Sequence, residues 1–168
     1  MAAGKSTVGP LLADRLGYRF ADLDWLVEAR TGRTVAALFD EGEGVFRAAE
    51  AEALRETAGG RGLVVATGGG TLSEPANLAV ARAGGPVVWL RVAPETVRAR
   101  VGAAAERPML WGSGRPLAGD ALDARIRDLL AAREPYYAQA DVAVDASGPP
   151  EAVADEVARR LRGWRRVR

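Results

Sequence analysis

The chain has 168 residues, 48% of them hydrophobic, and its 23 basic and 22 acidic side chains leave a formal net charge of +1. That length and apolar content suit one globular domain with its own core, spanning residues 1–168. Cysteine and histidine are both missing, which excludes a disulfide framework, a thiolate zinc site and histidine acid–base chemistry.

Apolar strands are expected at residues 18–21, 63–67, 87–92 and 141–145, each rich in β-branched or aromatic residues and bounded by Gly, Pro or Asp. Helical patterning covers residues 5–16, 25–30, 35–40, 45–57, 75–83, 94–101, 117–137 and 150–164. Pro75, Pro94 and Pro150 stand where first helical turns belong, because a missing N–H is harmless there. Short apolar strands alternating with helices imply an α/β domain whose parallel sheet is covered on both faces. Residues 102–119 hold glycines and prolines with little periodicity and are expected to form a long loop of lid type.

The longest apolar runs, residues 62–66 and 86–90, are far shorter than the ~20 residues that span a bilayer. No leader-like apolar stretch opens the chain, so a cytoplasmic location is expected. Six arginines crowd the last ten residues. A solvated helix end explains them, favoured by the negative pole of the helix dipole. Neither a nucleic-acid nor a membrane partner is expected from that tail, and a monomer is expected.

Lys5 is the only lysine among the 23 basic residues. Its neighbourhood, Ala2-Ala3-Gly4-Lys5-Ser6-Thr7, closes on Gly-Lys-Ser, the second half of a phosphate-binding loop. In that motif backbone N–H groups and a helix N-terminus surround the phosphates. The lysine reaches their oxygens and the serine hydroxyl ligates Mg²⁺. The motif's first glycine would fall two residues before Met1, as would the strand that launches the loop, so the start at Met1 is expected to lie inside the motif. Pro10 is expected to bend the following helix without ending it.

Further landmarks follow in order: Asp22-Leu23-Asp24 after the first visible strand, Phe46-Arg47, then Gly68-Gly69-Gly70 after the second. Arg107-Pro108-Met109-Leu110 in the long loop and Arg133-Glu134-Pro135-Tyr136-Tyr137 complete them. This succession, from Met1 to about residue 160, resembles the shikimate kinases. The resemblance implies a three-layer P-loop kinase fold of the nucleoside-monophosphate-kinase type. Its parallel strands would run in the order 2-3-1-4-5, with strand 1 missing or truncated here. It also implies ATP and shikimate as substrates and Mg²⁺ as cofactor, with an acceptor-binding subregion near residues 24–57.

By resemblance, Lys5, Asp24 and Arg107 are catalytic, and Ser6 and Asp22 hold the metal. Ala2 to Thr7, Arg100, Arg107 and Ser147 bind ATP, with Arg100 on one side of the adenine and residues 146–150 on the other. Asp24, Arg47, Gly68, Gly69, Gly70 and Arg133 bind the acceptor. Guanidinium forks suit its carboxylate, and bare backbone suits its hydroxyls. Plainer readings stand beside these. An Asp can cap a helix at residue 25, three glycines can be only a turn, and Phe39 and Phe46, expected to border the acceptor, can be only core. A gluconate kinase or other small-metabolite kinase, or a truncated non-catalytic relative, is the alternative.

Overall fold

The computed structural model describes residues 2–101, 108–112 and 115–163. Four parallel strands, each four residues long, carry the architecture: β1 (Arg19–Asp22), β2 (Leu63–Ala66), β3 (Val88–Arg91) and β6 (Val142–Asp145). They pair two and two. β1 lies beside β2 with Asp22 opposite Ala66, and β3 lies beside β6 with Arg91 opposite Asp145. These pairs are the two halves of the expected order, 2-3 and 4-5. Among the described residues no strand joins β2 to β3, as an order without its strand 1 implies.

Helix α1 (Lys5–Leu16) begins after Gly4, whose left-handed backbone (φ 86°) suits a residue without Cβ. It runs through the exposed Pro10, as expected. Its Gly9 lies so close to β1 that a Cβ there would strike the Phe20 ring. Val8 and Leu12 of α1 share one core with Val142 and Val144 of β6 and with Val153, Ala154, Val157 and Ala158 of α8 (Pro150–Gly163). Val64 of β2 and Val88 and Leu90 of β3 pack against the same core, so α1 and α8 form one layer under both strand pairs.

A second core lies in the subregion expected to bind the acceptor. It gathers Leu23 and Val27 of α2 (Leu23–Thr31), Leu38 of α3 (Val35–Glu41) and Phe46, Ala53 and Leu54 of α4 (Glu43–Thr57). A third joins α6 (Pro94–Arg100) and α7 (Gly119–Tyr137) through Val97, Leu122, Ile126 and Leu129. Fully burying one such aliphatic side chain stabilises by roughly 1.5–3 kcal/mol. Helix α5 (Pro75–Gly84) has its proline in the first turn, as do α6 and α8.

The segment expected to be a plain loop has structure of its own. Pro108–Leu110 makes a 3₁₀ turn, and β4 (Trp111–Gly112) pairs antiparallel with β5 (Arg115–Pro116). Leu110 is fully buried in the α6–α7 core, and the Arg125 Nε donates to the Met109 carbonyl at 3.1 Å. The second half of the expected lid is thereby anchored. Arg107 and the remainder of the first half lie outside the described residues. No helix among the described residues is long and apolar enough to cross a membrane.

Candidate active site

The phosphate-loop end is built on Gly4. Its carbonyl accepts from the N–H groups of Thr7 (3.0 Å) and Val8 (2.7 Å), which starts α1 directly behind Lys5. Ala2, just before, is the only non-glycine residue of positive φ among the described residues, at 46°. Backbone strain of this kind amounts to about 1–3 kcal/mol and persists where the surroundings over-determine it.

Asp22 ties three elements together. At the end of β1 and 7% exposed, it accepts the Ser6 hydroxyl of α1 at 2.5 Å through one oxygen. Its other oxygen accepts the Asp24 N–H at 3.1 Å and caps α2. The cap is therefore Asp22, two residues earlier than the cap position considered for Asp24. The two acids do not share a strand, because capping by Asp22 starts the helix at Leu23 and places Asp24 in its first turn. Burial raises the Asp24 pKa first, followed by the nearby Asp22 and Glu50 charges, while the Lys5 ammonium pulls it back down. The Lys5 charge thus acts on Asp24.

Arg47 anchors the acceptor side. Its guanidinium donates to Glu43 at 3.0 Å and to Glu50 at 2.8 Å, and it sits over the Phe46 ring (5.2 Å to the centroid) and the Phe39 ring (6.0 Å). Those rings stack at 4.5 Å, so the aromatic pair is both core and platform. The carboxylates of Glu50 and Glu43 raise the Arg47 pKa against the opposing pull of burial. Glu50 is 0% exposed and also accepts the Thr71 hydroxyl at 2.5 Å.

Two of the three glycines acquire a specific reason here. A Cβ on Gly68 would collide with the Glu50 carboxylate, and one on Gly70 would sit 2.8 Å from Arg47 Nη2. The bare backbone admits the site's own charged network as well as any ligand. Across the loop, the Tyr137 hydroxyl donates to the Gly69 carbonyl at 2.6 Å. Arg133 stands one turn back on α7 beside the same hydroxyl.

A cavity of about 390 Å³ reaches from Ala3 and Lys5 past Gly68 and Gly69 to Trp89 and Tyr137. Its walls run along Val88, Trp89 and Leu90, and neither Asp24, Arg47 nor Arg133 lines it. It follows the free edge of β3 and touches the site only at one end. At the opposite end of the molecule, Arg100 Nη2 donates to the Ser147 carbonyl at 3.3 Å, so the two residues expected at the adenine do meet.

The sequence profile described as shikimate kinase matches residues 1–162. The chain belongs to the shikimate kinase family. It is 44% identical to the shikimate kinase of Moorella thermoacetica over 98% of this chain and 91% of that protein. With the Gloeobacter violaceus shikimate kinase it shares 46% identity over 96% of this chain and 88% of that one. Its fold superposes on the shikimate kinase of Acinetobacter baumannii, solved in complex with shikimate, at a TM-score of 0.88 and 32% identity. That match covers 97% of this chain and 89% of the other. The Bacteroides thetaiotaomicron shikimate kinase gives a TM-score of 0.84 at 34% identity, covering 97% and 92%. The reaction is the ATP-dependent phosphorylation of shikimate to 3-phosphoshikimate in aromatic amino-acid biosynthesis.

Within this kinase, sequence reasoning missed Glu50, Thr71 and the contact made by Tyr137. Glu50 lies three residues after Arg47 on one helix, a spacing that brings side chains together. Thr71 and the Tyr137–Gly69 contact are joined across 21 and 68 residues, and no local pattern announces them.

Proposed function

We propose that the residues named from the sequence divide the phosphoryl transfer among them as follows. Lys5 and the N–H groups that open α1 hold the phosphates of ATP, where the helix N-terminus and the ammonium both favour negative charge. Asp24 orients the hydroxyl of shikimate toward the γ-phosphate and takes its proton. A loose transition state makes the orientation the larger part of that task. Arg47 and Arg133 clamp the carboxylate from α4 and α7, and the N–H groups of Gly69 and Gly70 bind the acceptor between them. The observation that carries this reading is the Asp22 carboxylate, which takes the Ser6 hydroxyl through one oxygen and the Asp24 N–H through the other and so brings the phosphate-loop end beside Asp24.

Ser6 and Asp22 fit Mg²⁺, since a hydroxyl and a carboxylate oxygen 2.5 Å apart are hard oxygen donors at the phosphate end. Among the described residues no cluster of three or more acidic side chains could hold a metal by itself. The ion would complete its shell with phosphate and water, and when bound it neutralises charge on the transferring group. Arg100 and the Ser147 loop flank the adenine, and Arg107 belongs with the transferring phosphoryl. The enzyme would work as a monomer in the cytoplasm, where ATP is made and spent.

A coupled ADP-release assay on Lys5→Met tests the division of roles. Turnover is expected to fall about 10²–10³-fold, with shikimate affinity by calorimetry held within about twofold. Retained turnover, or lost shikimate affinity, would show that Lys5 does not serve the phosphates. Chelation of Mg²⁺ by EDTA is expected to abolish turnover reversibly.

A further inference from the structure

The glycine loop between β2 and the 3₁₀ turn Thr71–Ser73 is held from two sides. On the α4 side, the Thr71 hydroxyl reaches both Glu50 (2.5 Å) and the Gly68 carbonyl (3.1 Å). On the α7 side the hold is Tyr137, whose hydroxyl donates to the Gly69 carbonyl at 2.6 Å. The Tyr137 ring packs at 5.8 Å from the Trp89 ring of β3. Arg133 stands four residues earlier on the helix, and its charge opposes the upward push that burial gives the phenol pKa.

One consequence follows from the planarity of the peptide bond. The Gly69 C=O and the Gly70 N–H belong to a single trans peptide and point in opposite directions. Fixing the carbonyl toward α7 turns the Gly70 N–H away from α7, at the residue against which Arg47 lies. Neither the Gly69 nor the Gly70 N–H donates to protein among the described residues. Three successive glycines offer little resistance to rotation of this plane, so an external anchor must select its orientation.

We propose that Tyr137 is a positioning residue for the acceptor: its hydroxyl, bonded to the Gly69 carbonyl, sets the peptide plane that presents the Gly70 N–H to shikimate. It touches neither reacting atom. It acts through the glycine loop that grips the acceptor. This inference rests on the reading of Arg133 and the glycine loop as acceptor-binding.

The test is steady-state kinetics of Tyr137→Phe beside Arg133→Lys, with Trp89→Phe as a packing control and urea midpoints for all three. Tyr137→Phe removes one hydroxyl and keeps the ring. It is expected to raise the KM for shikimate about fivefold, the effect of one hydrogen bond, with kcat and the KM for ATP held within about twofold. Arg133→Lys is expected to raise the same KM about tenfold or more. Trp89→Phe is expected to lower the urea midpoint without moving the KM for shikimate. An unchanged KM in Tyr137→Phe beside a raised one in Arg133→Lys overturns the role of Tyr137 alone. Unchanged values in both overturn the acceptor reading as well. A rise in the KM for ATP equal to that for shikimate, or an equal effect of Trp89→Phe, shows that Tyr137 only packs. If Tyr137→Phe does not fold, 3-fluorotyrosine at position 137 decides, because it keeps the ring and the hydroxyl but alters the bond to Gly69: a shifted KM for shikimate at an unchanged KM for ATP upholds the proposal, and unchanged values for both overturn it.

Discussion

The proposed acceptor side and the proposed adenine side of this kinase are built in opposite ways. On the first, Arg47, Glu50, Thr71, Gly68 and Gly70 form one network in which each group touches at least one other, closed over a fully buried carboxylate, and Tyr137 holds Gly69 of the same loop. At the adenine end, among the described residues, the only side-chain bond joining the two expected residues is the exposed 3.3 Å contact from Arg100 to a backbone carbonyl. A networked site should fail as a unit when any member is cut, since buried polar groups left unsatisfied cost about 1–3 kcal/mol or more each. A site of separate contacts should lose only what is removed.

The largest effect is expected where the two sides meet. Asp24→Asn should lower kcat about 10²–10⁴-fold, the range for losing a group that handles the proton. It should also stabilise the fold. The Asp24 pKa is raised by burial and by Asp22 and Glu50, so the folded chain holds that proton more tightly than the unfolded one. Stability contributed by the group is then complete below the ordinary carboxylate range and is lost as pH rises through the raised value. Asn cannot ionise, so the thermal midpoint of Asp24→Asn should exceed that of the parent at pH 7 and match it at low pH. In the parent, the acid limb of the kcat profile should lie above the usual carboxylate range. A midpoint that falls at pH 7 would count against a strained, ionised Asp24.

Next in size is the acceptor network itself. Arg47→Ala leaves Glu50 buried without its guanidinium and should cost about 3–5 kcal/mol in urea unfolding. Glu50→Ala should cost less, because Arg47 keeps Glu43 and 29% side-chain exposure. The double variant should be far less destabilised than the two single losses together, a coupling of at least about 1 kcal/mol. Additive losses would dissolve the network into independent contacts.

The same contrast governs what could be read from the sequence. α1 was legible to the residue (Lys5–Leu16), because a Gly-Lys-Ser start and an amphipathic run are local signals. Asp22, Asp24, Arg47 and Arg133 could be picked out because motif order carries them. Their partners could not. Glu50 is one of 22 acids, and nothing in the chain marks it as the one that is fully buried. The reason for Gly68 and Gly70, that acidic and guanidinium groups occupy the space of their missing side chains, lies on α4, about 20 positions away. The pairing of strands two and two was legible through the family order 2-3-1-4-5 without its strand 1, whereas hydrophobic patterning alone locates strands and does not say which of them pair.

The smallest effect belongs to Arg100. Its bond to the Ser147 carbonyl is long and exposed, so Arg100→Ala should raise the KM for ATP only about two- to fivefold, with the thermal midpoint and the KM for shikimate unchanged. Ser147→Ala should do less still, since Arg100 reads the backbone there and not the side chain. The Ser147 N–H is itself held by Asp145 at 2.9 Å, and the Ser147 hydroxyl and N–H keep that carboxyl below the usual carboxylate range. The turn therefore persists at any pH where the enzyme works and loosens only as acid protonates Asp145. Arg100→Ala combined with Ser147→Ala should give the product of the single effects, in contrast to Arg47 with Glu50. A strong coupling between Arg100 and Ser147 would mean that bound ATP organises the adenine end into a network as tight as the one the acceptor side already has without ligand.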